Sequence, residues 1–142
     1  MKRLIIVTLL CMQLNATFSQ GGIEHIKNMS YLKYAKNIDC NDRPGDELTN
    51  RICANLAYQK SDSLLVIIYE KLLKEATSQI EKEKIIQLQK NWRELRDKHC
   101  AILWESNGIP SSNHAAISIL NCLTLLTNNR IKELELLLDE NL

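Results

Sequence analysis

The chain has 142 residues, with 18 Lys+Arg against 17 Asp+Glu, 45% hydrophobic residues, and only 4 Gly and 2 Pro. That length suits one domain, and the scarcity of Gly and Pro excludes a loop-rich or collagenous chain. A formal charge of +1 leaves no basic surplus for nucleic acid, and a charged fraction of 25% excludes an extended disordered polyelectrolyte.

The chain opens on a targeting pattern. Lys2 and Arg3 precede a short apolar stretch from Leu4 to Met12, and Gln13 to Gln20 is more polar. This is the three-part layout of a secretory signal peptide, with an apolar part too short for a stable membrane span. Thr17 and Ser19 put small residues three and one before a cut, so residues 1–19 read as the signal peptide, cleaved near Ser19/Gln20. The expected location is periplasmic or secreted, with no transmembrane anchor in the mature chain. Losing Lys2 and Arg3 leaves 16 basic against 17 acidic residues, a charge of −1, and losing Cys11 leaves four of the 5 Cys. An even number in a short exported chain reads as two disulfides. A Cys/His metal site lacks its usual Cys-x-x-Cys knuckle, and no cofactor is expected.

Residues 20–45 hold Gly21, Gly22, Pro44 and Gly45 and read as a lead-in segment with one short helix from Ile26 to Tyr34. From Asp46 to Asn107 there is neither Gly nor Pro, and none again after the Gly108–Asn113 turn, so both runs should be helical. One helix over the first run would leave its apolar stripe uncovered. A turn is therefore placed at Ala76–Gln79, with Asp46 capping the first helix and Thr77 or Ser78 the second, Glu81 completing a capping box if Ser78 is the cap. Leu65, Ile68, Leu72 and Ala76 form the first stripe at helical spacing. Ile85, Leu88, Trp92, Leu95, His99 and Ile102 form the second, and Ala116, Leu120, Leu123, Thr127, Ile131, Leu134 and Leu138 the third. The expected fold is all-α: an antiparallel three-helix bundle over 46–142 behind the lead-in segment. In such a bundle Cys53, Cys100 and Cys122 gather toward one end. Similar depth on facing helices favours Cys100–Cys122 with Cys40–Cys53, and the alternative Cys40–Cys122 with Cys53–Cys100 stays open.

The residues from Asp39 to Leu134 resemble the small exported four-cysteine proteins of the lysozyme inhibitor LprI family. The resemblance runs through Asp39-Cys40, Cys53 and Asp62-x-x-Leu65-x-x-x-Tyr69. It continues through Gln89-x-x-Trp92-x-x-x-Arg96-Asp97-x-x-Cys100, then Cys122 and Thr127-x-x-Arg130-x-x-x-Leu134. The chain departs from the family at Val66, where Asn is usual. The resemblance implies a helical envelope protein held by disulfides and, from at least one relative, inhibition of a lysozyme. It assigns no inhibitory contact to any motif residue.

Among the motif residues, Trp92 on the stripe reads as core, and a charged Arg96 beside that stripe calls for Asp62 or Asp97 as partner. Arg96 and Arg130 also suit a partner-facing pair, since Arg is enriched at binding hot spots. His99 on the apolar face reads as packed rather than catalytic. Trp104, Ser106, Asn107, Gly108, Ile109 and Asn113, at the bundle end, form a candidate contact loop. No nucleophile–base pattern accompanies His25, His99 or His114, so the chain does not read as an enzyme. The expected partner is a protein, a lysozyme being the leading candidate. The rival is a non-inhibitory envelope module, including a partner that neutralises a secreted toxin.

Overall fold

Three long helices carry the chain: α1 (Glu47–Glu75), α2 (Gln79–Ser106) and α3 (Asn113–Asp139). The computed structural model describes residues 22–27, 30–41, 45–106 and 112–140. Among these there is no strand, and ahead of α1 lie a helical turn at 22–27 and a 3₁₀ helix at Ser30–Asn37. The signal-peptide segment and Asn107 to Ile109 of the candidate loop fall outside the described residues.

Each long helix starts on a side-chain cap, which satisfies backbone donors that have no partner within the helix. Gly45 takes a left-handed φ of 80°, open to glycine at no steric cost, and turns the chain into Asp46. Asp46 Oδ1 then accepts from the Thr49 amide at 2.8 Å. At α2, Ser78 Oγ accepts from the Glu81 amide at 3.2 Å, while the Glu81 carboxylate accepts from Thr77 N at 2.8 Å and Thr77 Oγ1 at 3.0 Å. Ser112 caps α3 by accepting from Ala115 N at 3.1 Å. Ala76, placed on the first stripe by its spacing, is instead the C-terminal cap of α1, where the extended backbone ends the helix.

The core divides into two clusters. One gathers Ile23, Ile26, Ala54, Tyr58, Cys100, Ala116, Ile119, Leu120 and Leu123. The other gathers Leu65, Leu72, Ile131 and Leu134, with Ile68, Tyr69, Ile85, Trp92 and Leu138 packed on it. Full burial of a Leu or Ile side chain contributes about 1.5–3 kcal/mol, so these clusters are the main source of stability. Helix α3 packs chiefly on α1 and less closely on α2. Between α2 and α3 the partners run in opposite order: Cys100 meets Cys122, Arg96 meets Thr127 and Gln89 meets Arg130.

Two disulfides are present, Cys40–Cys53 and Cys100–Cys122, with Cα–Cα distances of 5.6 and 5.7 Å. Closing loops of this length contributes about 3 kcal/mol each, with a mechanism that depends on the unfolded-state model.

The stripe expected on α2 is corrected by the structure. Leu88, Leu95 and Ile102 are 60%, 66% and 63% exposed, and His99 is exposed as well. The inward face carries Gln89, Trp92, Arg96 and Cys100 instead, with Gln89 and Arg96 at 3% and 4% exposure. Neighbouring positions on a helix differ by about 100°, so the buried face is turned one residue from the apolar row. The cause is that Arg96 and Gln89 find internal partners and Cys100 is drawn inward by its disulfide.

Of the short helix expected over Ile26 to Tyr34, the described residues are helical, in the turn at 22–27 and the 3₁₀ helix from Ser30, and residues 28 and 29 lie outside the description. Ile23 and Ile26, one turn apart, bury together. Side chains of α1 hold this segment: Asn55 Nδ2 donates to the Ile26 carbonyl at 2.8 Å and Gln59 Nε2 to the Lys27 carbonyl at 2.9 Å.

Candidate functional site

Arg96 sits at the junction of all three long helices. Its Nη1 donates to Asp62 Oδ1 on α1 at 3.1 Å and to Thr127 Oγ1 on α3 at 3.1 Å, while Nε donates to Asp97 Oδ1 at 2.9 Å. Both carboxylates named from the sequence therefore serve it together. Burial works against the Arg96 charge, but Tyr58, Asp97 and Asp62 outweigh it and hold the guanidinium above its ordinary range. Burial also pushes the Tyr58 hydroxyl well above the usual tyrosine range. The fork geometry of a guanidinium suits this three-way grip, which a lysine ammonium would not reproduce.

Trp92 is half-buried rather than core. Its ring lies between two cations, Arg96 at 5.0 Å and Arg130 at 5.8 Å from the ring centroid. Arg130 Nε donates to Gln89 Oε1 at 3.1 Å and its Nη1 to Glu133 at 2.9 Å. The buried Gln89 Nε2 has no partner among the described residues. Leu65 is fully buried and Tyr69 half-buried below this layer. The ordered motif Asp62, Leu65, Tyr69, Gln89, Trp92, Arg96, Asp97 and Arg130 is thus gathered around one polar layer inside the helices. Its chemistry is that of a lock, with charges consumed internally.

A second locus lies at the end where α1 and α3 start and α2 finishes. Both disulfides are there, and Arg51 Nη1 donates to Asn113 Oδ1 at 2.8 Å, tying the start of α3 to α1. Trp104 is half-buried against the first cluster and faces Gly22, where an added Cβ would meet its ring at 3.7 Å, an ordinary contact. Lys27, itself buried, joins this end to the polar layer through Asp97 Oδ2 at 2.6 Å and Glu24 at 3.0 Å. Between α1 and α3 an open groove of about 390 Å³ is lined by Glu47, Asn50, Cys53, Ala54, Ala57, His114, Ile117 and Asn121. No group of His, Cys, Asp or Glu among the described residues is placed to hold a metal ion.

Of the candidate contact loop, Trp104 is committed to packing and Asn113 to Arg51, while Asn107 to Ile109 lie outside the described residues. Lys27, Asn55, Gln59 and Thr127 as a polar ligand are contributors the sequence analysis missed. Asn55 and Gln59 share a face at i, i+4 spacing, which was the available signal.

The arrangement defines a class: an all-helical protein braced by two disulfides, with a buried polar lock and an open groove at the braced end. The model of the lysozyme inhibitor LprI family matches residues 40–134, more than half of the chain, and the chain belongs to that family. No curated protein and no solved structure matches it. Family membership and the disulfides are marks of an extracytoplasmic protein, and no helix among the described residues is long and apolar enough to cross a membrane.

Proposed function

We propose that the chain is an exported envelope protein that inhibits a lysozyme by inserting its braced end into the enzyme's sugar cleft. In this reading residues 1–19 are removed on export, and the remaining helices run as an antiparallel bundle whose α2–α3 turn leads into the cleft. The reversed order of the α2–α3 partners supports that topology. Family membership supports the partner.

The concentration of rigidifying devices at one end is the observation on which the site rests. Two disulfides, the Arg51–Asn113 bond and the packed turn at 22–27 all converge there. Such an end holds the helix termini that flank its loop without an ordering cost at the moment of binding, which is what preorganisation contributes to affinity. Glu47, Asn50, His114 and Asn121 on the groove rim add polar groups able to match a polar partner surface. A mature charge of −1 gives little long-range steering toward a basic enzyme, so affinity rests on local fit.

The test is a cell-wall clearing assay with the mature, disulfide-intact protein. Clearing by the lysozyme should fall in proportion to added protein, and substitutions at Ser106 to Ser111 should abolish the effect while leaving the helical spectrum unchanged. Full clearing at a large molar excess would remove inhibition from consideration and leave a non-inhibitory envelope module as the surviving reading.

A further inference from the structure

Two donors on α2 are buried without an acceptor. Gln89 Nε2 belongs to a side chain only 3% exposed, and Arg93 Nε, one turn further along the same helix, is also shut off from solvent. Neither atom has a hydrogen-bond partner among the described residues. Among those residues Arg93 donates no hydrogen bond and joins no ion pair, whereas Arg51, Arg96 and Arg130 all do. Asp97, four residues on from Arg93, has both oxygens in use: Oδ1 accepts from Arg96 at 2.9 Å and Oδ2 from Lys27 at 2.6 Å. The Gln89 amide cannot turn round to relieve its own end. Its Oε1 accepts from Arg130 Nε at 3.1 Å, which fixes the oxygen and leaves Nε2 on the other arm. An arginine often buries its apolar stem and keeps its head in water, but a buried Nε–H with no acceptor is a cost that habit does not explain.

We propose that Arg93 and Gln89 form a binding site for a carboxylate at the edge of the polar layer. The Nε edge of a guanidinium offers two parallel N–H groups at the spacing of two carboxylate oxygens, and Gln89 Nε2 adds a third donor beside them. Arg93 is half-buried, so the ligand reaches it from solvent while Gln89 stays inside. Charge selects the same class. One free cation matches the single charge of a carboxylate, whereas a phosphate dianion calls for a second, and Arg96 and Arg130 are already engaged. A free organic acid and the C-terminus of a peptide both present this group. The site lies about 20 Å along α2 from its Ser106 end, so it is separate from the braced end and does not depend on lysozyme being the partner.

The test is a nuclear magnetic resonance titration of the mature, disulfide-intact protein with sodium acetate at constant ionic strength. The Arg93 Nε–H and Gln89 side-chain amide signals should shift together with one millimolar dissociation constant, while the Arg96 Nε–H signal stays in place. N-acetyl-dialanine should bind through its free C-terminus and its C-terminal amide should not. Affinity about tenfold above that of acetate marks a peptide terminus as the ligand, and equal affinity marks a small acid. Arg93→Met keeps the stem and should abolish the shift at Gln89, and Arg93→Lys, which loses the fork, should weaken binding about tenfold. Gln89→Glu builds the carboxylate into the protein, four residues before Arg93, the favourable order for a helical ion pair. It should raise the melting temperature and lose the response to acetate. Unchanged helical spectra identify the folded variants. Absence of any acetate-dependent shift at Arg93 overturns the proposal. So does an equal response to chloride or phosphate, which would show an adventitious ion only, or a lowered melting temperature in Gln89→Glu.

Discussion

The two halves of the molecule are stabilised in different ways. Around the first cluster, where α1 and α3 begin, the apolar core is supplemented by both disulfides, by Lys27 on Asp97 and by side-chain amides closing the 22–27 turn. Around the second cluster, where α1 ends and α2 begins, Leu65, Leu72, Ile131 and Leu134 hold the helices by apolar contact, with Arg130 on Gln89 and Trp92 and the exposed cap at Thr77–Glu81 as polar additions and no disulfide. Arg96 sits between the halves and bonds to all three helices. The contrast places rigidity at one end. A protein that needed only to stay folded would have no reason to spend its covalent bonds so unevenly, whereas one that grips a partner with one end gains from it.

Removing the covalent braces should break the comparison most severely. Each disulfide is worth about 3 kcal/mol, so losing both consumes much of the roughly 5–15 kcal/mol that stabilises an ordinary domain. Reduced protein should lose its helical circular dichroism on mild heating, with amide exchange accelerating first around Cys53 and Cys100. Equal melting temperatures with and without reductant would mean that the two ends do not differ as described.

Arg96→Ala should come next. It leaves Asp62, Asp97 and Thr127 without their shared donor and should cost about 3 kcal/mol in urea unfolding. Arg96→Lys keeps the charge but not the fork, and should fall between wild type and alanine. A neutral effect of Arg96→Ala would show that the layer is not a lock.

Leu72→Ala sharpens the contrast from the other end. Leu72 is 3% exposed, and truncation there should cost about 2–4 kcal/mol through lost burial and a residual cavity. Its effect on amide exchange should be confined to the ends of α1 and α3 near Glu75 and Leu138. The disulfide-clipped end should keep its protection.

The same contrast explains what the sequence made legible. Breakers and caps announced the three helices, because Gly, Pro, Asp46 and Ser78 act through local backbone chemistry. The all-helical class and the family followed from residues whose spacing is written along the chain. The inward face of α2 did not. Leu88, Leu95 and Ile102 form a better apolar row than Gln89, Trp92, Arg96 and Cys100, and periodicity weighs hydrophobicity, not partners. Only the carboxylates of Asp62 and Asp97, the Thr127 hydroxyl and the Cys122 sulfur make the polar face the buried one. Three of those four partners lie on α2's own next residue or on α3, so their convergence depends on tertiary placement. Lys27 was hidden for the same reason, since its partner Asp97 is remote in sequence.

The smallest expected effect is the response to acid, and it separates the ends most finely. Asp46 is held below its ordinary 3.8 by the Thr49 side chain and amide, and Glu81 below 4.5 by the Thr77 amide and hydroxyl. Both carboxylates titrate lower in the folded than in the unfolded chain. Their stabilisation is therefore complete above the unfolded values and disappears as pH falls through the folded ones. Asp46 caps a helix that the Cys40–Cys53 disulfide also anchors, whereas Glu81 caps a turn that carries no disulfide and has only Ser78 beside it as a cap. Amide exchange compared at about pH 3 and pH 6 should thus accelerate first at the α1–α2 turn. Glu81→Gln keeps an acceptor but cannot titrate, so it should remove the acid dependence there while leaving that of Asp46 in place. Fraying at Asp46 before Glu81 would place the weaker end of the bundle opposite to where the disulfides put it.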